Sequence, residues 1–220
     1  PNEIKAAVEH GIDMVLSLDH GNCEELLPYL AEKGVPAVLL PTNYSEGFVP
    51  KTPEDRVDSM LKLKDKCSLI DSVCDLVLDP VNSSSIVDSI FAYHDFHQVC
   101  KKPMFFGVGN VVELMDTDSN GANALLAGIA MELGASILFT PEESGKTRGS
   151  VYELSTASKM MFLAKHRKSI PKDLGINLVA FKDKHKRNDV ILNELDGVEI
   201  VAFDIKLNGE DKSTALINIE

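Results

Sequence analysis

Two short stretches carry residue types that could do chemistry. The first is FTPEESGKTRGS (139–150), in which Gly145-Lys146-Thr147 ends like the phosphate loop of an NTPase. Such a loop needs a glycine five positions before Gly145, so that bare backbone N–H groups can wrap the phosphates. Thr140 stands there instead. Pro141, which has no N–H, follows it, and then come Glu142 and Glu143, whose charges would repel a polyphosphate. A phosphate loop is not expected, although the stretch remains a candidate site loop of another kind. The second stretch is LVLDPVN (76–82), which runs from apolar residues straight into Asp79 and a proline that cannot continue strand pairing. An ionised carboxylate in such a place offers paired acceptors to a ligand edge with two adjacent N–H donors.

These residues need elements to position them. Short apolar runs recur at 13–18 (DMVLSL), 37–40 (AVLL), 75–78 (DLVL), 103–107 (PMFFG) and 136–139 (SILF). Their spacing of about 25 to 40 residues is that of βαβ units, and their lack of polar alternation suits strands buried on both faces of a parallel sheet. Helix starts are expected at Asn22 with Glu25, at Thr52-Pro53, at Ser83–Ser85, at Asp118 or Ser119, and at Ser150. Gly34 and Gly134 suit helix stops, and Pro28 predicts a kink or a late start for the helix that contains it. After Pro171 the βα rhythm is lost. LVAF (178–181) and a hairpin from 198–205 and 213–219 predict a small β element over 175–220.

Regular βα alternation leaves a (β/α)8 barrel or a doubly wound sheet, and both place ligands at the C-terminal ends of strands. Those ends read Ser17 and Asp19, Thr42 and Asn43, Asp79 and Asn82, Gly109 and Asn110, and Glu142 and Glu143. Any one of these can be a helix cap or turn residue. All five together favour a site. A dinucleotide fingerprint is weakly supported, because Gly107 and Gly109 are followed by Val112 where the third glycine belongs. The 2-amino/N3–H side of a pterin is an edge that Asp79 could read, with Asn side chains reading its oxygen.

Composition narrows the partners. The 220 residues are 44% apolar and 25% charged, with a net charge of −12 that argues against a nucleic-acid surface. No apolar run approaches the roughly 20 residues of a membrane span. Cys23, Cys67, Cys74 and Cys100 form no CxxC pair, and buried thiols in a reducing cytoplasm are expected. The six histidines have no metal-ligand spacing; His94 and His97 share a helix face that reads as solvated, and no metal site is expected. The chain opens at Pro1, with Ile4, Ala7 and Val8 already on one helix face, so a processed or partial chain is expected.

The stretches 39–57, 76–82 and 105–151, extended by SKMMFLAK (158–165) and PKDLG (171–175), resemble dihydropteroate synthase, most closely the archaeal dihydropteroate synthase-related proteins. The resemblance implies a pterin-binding (β/α)8 TIM barrel over 1–174, incomplete at its N-terminus, with a small β-rich element over 175–220. Three βα units, and another pterin-contacting acid, are then expected before Pro1. Asp79 matches the family's ring-holding Asp, Asn82 and Asn110 would support the ring, and Ser17 or Asp19 lies where the family has a ring-binding Asn. The departures are large. The family's Gly-x-Ser-Arg-Lys is Gly107-Val108-Gly109-Asn110-Val111 here, and its Arg-x-His is Phe139-Thr140-Pro141. Lys146 and Arg148 would supply the missing positive charge as catalytic residues facing a diphosphate.

Two functions follow. One is a transferase in folate or methanopterin biosynthesis, joining a dihydropterin methyl diphosphate to a p-aminobenzoate-type arylamine, with Mg²⁺ allowed beside the diphosphate. The other is a pterin-binding module without synthase activity, or a component of pterin-dependent methyl transfer. Loss of the family's cations favours the second. A third reading is an α/β domain whose polar strand ends are only caps. Expected partners are the small molecules, with a homodimer allowed and neither nucleic acid nor membrane.

Overall fold

The structure, a computed structural model, describes residues 1–178. The expected strand LVAF beyond Leu178 and the hairpin over 198–219 lie outside the described residues.

Helices and strands alternate in the expected rhythm. The helices are α1 (Asn2–Glu9), α2 (Cys23–Lys33), α3 (Pro53–Lys66), α4 (Ile86–Val99), the single turn α5 (Gly109–Val112), α6 (Ser119–Leu133) and α7 (Ser150–Arg167). The strands are β1 (Val15–Leu18), β2 (Ala37–Leu39), β3 (Ser72–Cys74), β4 (Phe105–Gly107) and β5 (Ile137–Phe139). Local chemistry sets the helix ends. Thr52 Oγ1 accepts the Asp55 amide at 3.1 Å ahead of Pro53, Ser85 Oγ accepts the Asp88 amide at 3.1 Å, and Asp118 accepts the Asn120 amide at 2.8 Å. α2 starts after Asn22 without a side-chain cap from it, and runs on through Pro28 to Gly34 in the left-handed region.

The strands form two parallel sheets, β1-β2-β3 and β4-β5, joined by one parallel bridge from Cys74 to Met104. This overturns the expected (β/α)8 barrel. Among the described residues the five strands fall into separate sheets of three and two with no closure: β1 pairs only with β2, and β5 only with β4. The βα rhythm dictates each parallel unit locally, through apolar strand faces and amphipathic helices. It does not dictate strand number or closure, which depend on whether the outermost strands meet.

A second correction concerns the third strand. The run DLVL was expected to be the strand, but β3 ends at Cys74 and residues 75–80 form an irregular segment. The Asp75 side chain accepts the Val77 amide at 2.8 Å, a local bond that competes with strand pairing, and Val77 sits at φ 66°. A β-branched residue in the left-handed region is strained, and Arg56 Nη1 holds it there by donating to the Val77 carbonyl at 2.6 Å. Leu18, Leu39, Met60, Leu76, Leu78, Phe96 and Phe106 are fully or almost fully buried in the hydrophobic core.

Candidate functional site

A cavity of about 370 Å³ lies over the strand ends, and all five strands, or the residue just after each, contribute to its wall. Leu16 and Ser17 come from β1, Val38 from β2, Asp75 from the end of β3, Phe105 and Gly107 from β4, and Phe139 from β5. Phe105 and Phe139 stand side by side, with ring centroids 5.4 Å apart. Gly109, Asn110 and Glu113 of the α5 region, with Pro141 and Glu143, complete the rim. Gly109 has to be glycine, because a Cβ there would lie 2.3 Å from Pro141 Cδ. The charge is one-sided. Asp75, Glu113 and Glu143 line the cavity, and among the described residues the lining holds no lysine, arginine or histidine.

Asp75 is half-buried in that wall. Its Oδ1 accepts from the Tyr93 hydroxyl at 2.6 Å and from the Val77 amide at 2.8 Å. Its Oδ2 faces Gly107 and has no hydrogen-bond partner among the described residues. Burial pushes the Asp75 carboxyl up to about 6, against the pull of the Tyr93 hydroxyl, the Val77 amide and the Arg56 charge. Tyr93 is fully buried, with the Phe105 carbonyl 2.9 Å from its hydroxyl oxygen, and burial followed by the Asp75 charge raises its pKa far above the ordinary tyrosine value.

The residues singled out from sequence fall in several places. Asp79 pairs with Arg56 Nη2, and its amide donates to Ser89 Oγ at 3.0 Å; it does not line the cavity. Arg56 is 2% exposed and also donates to the carbonyls of Leu76 and Val77 and to Ser89 Oγ. Asp79 is thus one end of a clamp on the irregular segment after β3. Asn82 is exposed in the left-handed region at φ 63°, a conformation that Asn tolerates. Asp19 is buried and takes four donors, the amides of Gly21, Asn22 and Tyr44 and the Thr42 hydroxyl, tying two loops together. Ser17 and Asn110 do line the cavity, and the Asn110 amide donates to the Leu78 carbonyl at 3.1 Å.

Lys146 is buried, and its ammonium donates to the carbonyl of Val112 at 2.9 Å and to that of Met115. It therefore caps the C-terminal end of α5 and the turn after it, rather than facing the cavity. Arg148 is exposed at the end of a 3-10 turn, Gly145–Thr147. Glu113 fastens this loop from below. Its oxygens accept the amides of Glu143 (2.9 Å) and Ser144 (3.2 Å) and the Thr147 hydroxyl (2.6 Å). Burial raises the Glu113 pKa, but these donors outweigh it and hold the carboxyl below the usual range. The GKT stretch is a docked segment, with Glu142 accepting the Val151 amide at the start of α7.

His94 bonds Asp95, and the His97 ring lies against Gly134. Among the described residues, no group of three His, Cys, Asp or Glu side chains is placed to hold a metal ion. A larger groove of about 880 Å³, between β5, α6 and α7, is mostly apolar and offers little chemistry.

Asp75, Tyr93 and Arg56 escaped the reading by strand ends, yet each left a signal. Asp75 is a carboxylate inside an otherwise apolar run, Cys74–Leu78. Arg56 shares the helical stripe of the buried Met60 and Leu63, and Tyr93 that of the buried Ser89 and Phe96.

The chain is similar to a protein of Methanocaldococcus jannaschii named only as uncharacterized. The two are 48% identical over 198 residues, which is 87% of this chain and 37% of that protein. The chain therefore spans little more than a third of its relative's length. No family model matches the chain. Among the described residues, no helix is long and apolar enough to cross a membrane.

Proposed function

We propose that the cavity over the strand ends binds a flat, N–H-rich heterocycle of the pterin class, and that the chain is a pterin-binding module rather than a synthase. The observation that carries this reading is the lining. One carboxylate presents an unfilled oxygen beside two phenyl rings, in a space of about 370 Å³ that suits a small ring system. Asp75 is the residue assigned to the ring's N–H edge, with Asn110 and Ser17 on the same wall. Asp79, clamped by Arg56, supports the segment that carries Asp75.

The transferase alternative needs cations where the diphosphate leaves. Asp75, Glu113 and Glu143 are a poor setting for a departing diphosphate, and Lys146 is already committed to backbone carbonyls. The resemblance to archaeal dihydropteroate synthase-related proteins supports the ligand class more than the condensation. The four cysteines are free and buried, which fits a reducing cytoplasm for a site of this kind.

The test is calorimetric titration of the 220-residue chain with 6-hydroxymethyl-7,8-dihydropterin, beside a diphosphate-release assay with its diphosphate ester and p-aminobenzoate. Binding is expected, with a loss of roughly 10- to 100-fold in Asp75→Ala, the range for a hydrogen bond to a charged group. No diphosphate release is expected. Unchanged affinity in Asp75→Ala overturns the site, and release of diphosphate with turnover restores the transferase.

A further inference from the structure

Asp75 has two oxygens in different situations, and the residue responsible is Tyr93. The tyrosine hydroxyl, on α4, and the Val77 amide both donate to Oδ1, which leaves Oδ2 alone beside Gly107 on the cavity wall. Tyr93 is fully buried, and its hydroxyl reaches the cavity wall through hydrogen bonds to Asp75 and the Phe105 carbonyl. Its hydroxyl has one proton, and the shorter contact, 2.6 Å against 2.9 Å, assigns that proton to the carboxylate. Other groups face Asp75. Arg56 approaches from α3, the buried Cys74 thiol precedes it on β3, and Glu113 and Glu143 stand on the cavity wall.

We propose that Tyr93 is the positioning residue of the site: by holding Oδ1 it makes Asp75 a reader with a single oxygen, whose protonation decides which ligand edge the cavity accepts. When Asp75 is ionised, Oδ2 accepts a ligand N–H. When it is protonated, the same oxygen carries the proton, because Oδ1 is already filled by two donors, and it becomes an O–H donor that accepts only weakly. An N–H-rich heterocycle then loses its charged acceptor and meets a donor in its place. Burial sets this change close to pH 6, and the Tyr93 hydrogen bond keeps it from rising further.

The inference rests on the pterin-class reading for its ligand but has a ligand-free test. Carboxyl-carbon NMR titration of Asp75 in the 220-residue chain is expected to give a midpoint near 6. In Tyr93→Phe, where the donor is gone and the ring kept, the midpoint is expected to rise by roughly half a unit or more. In calorimetry, dihydropterin affinity is expected to fall as pH drops from 8 to 5, following the same midpoint. The fall should move upward in Tyr93→Phe and be absent in Asp75→Asn. A merely structural Tyr93 would lower affinity equally at every pH. An Asp75 midpoint near the ordinary carboxylate value, or one that Tyr93→Phe leaves in place, overturns the inference even if pterin binds. Normal titration behaviour without any pterin binding overturns the ligand class and leaves the positioning role standing.

Discussion

Asp75 and Glu113 are carboxylates on the wall of one cavity, and their surroundings push them in opposite directions. Glu113 has both oxygens filled by donors from the 143–147 loop, and it is held below the usual carboxylate range in spite of burial. Asp75 has one oxygen filled and one open, and burial lifts it to about 6. The first is spent on architecture. The second keeps capacity for a ligand, and the fold bears the cost of half-burying it with one oxygen open. Cavity position alone does not separate a binding carboxylate from a structural one; the count of donors already used does.

The comparison can be broken at the segment after β3, residues 75–80. Arg56→Met would leave Asp79 without its counter-charge and remove the donor to the Leu76 and Val77 carbonyls. A loss of roughly 3 kcal/mol is expected, read by urea denaturation at pH 7. A loss below about 1 kcal/mol would mean that the clamp does not hold this segment.

Asp75→Asn sharpens the contrast. A raised carboxyl pKa means that the fold prefers the protonated form, so its contribution is present below about pH 4 and lost as pH rises through about 6. The amide cannot ionise. The variant is expected to be more stable than the parent by about 2 kcal/mol at pH 8 and no more stable at pH 4, by denaturation at both values. Equal stability at pH 8 would remove the claim that this group is held under strain.

Glu113→Gln should behave in the reverse sense. Its lowered pKa places its contribution above the ordinary carboxylate value, lost as pH falls through the lower folded value. The substitution is expected to cost about 1 kcal/mol at pH 7 and to speed hydrogen exchange of the Glu143 and Ser144 amides. Protection unchanged at those two amides would detach Glu113 from the loop. The smallest effect belongs to the exposed Arg148. Arg148→Ala is expected to alter stability by less than about 0.5 kcal/mol and to leave dihydropterin affinity within twofold in calorimetry. A larger change would return it to the site.

Much of the frame is legible in the residues. Thr52-Pro53, Ser85, Asp118, Gly34 and Gly134 mark helix ends because capping is a contact within a few residues of the chain. Four of the five apolar runs overlap the observed strands. The fifth slipped: DLVL reads as a strand by hydropathy, but the Asp75 side chain competes for the Val77 amide and ends β3 at Cys74. That slip moved the strand-end carboxylate from Asp75 to Asp79. Lys146 and Arg148, two residues apart, looked equivalent as free cations, yet one is buried against carbonyls and the other lies in solvent.

The amino-acid order by itself determined the alternation of short apolar strands and capped helices, the parallel sense of the strands, and an acidic set of residues near their ends. Each of these follows from interactions spanning a few residues, or from the period of the pattern. Only the tertiary structure decided that the strands form sheets of three and two rather than a closed barrel. It alone decided that Arg56 reaches across to neutralise Asp79, and that Tyr93 takes one oxygen of Asp75 and leaves the other open. Those outcomes depend on groups 18 to 23 residues apart arriving within hydrogen-bond distance, which packing fixes and local sequence does not encode.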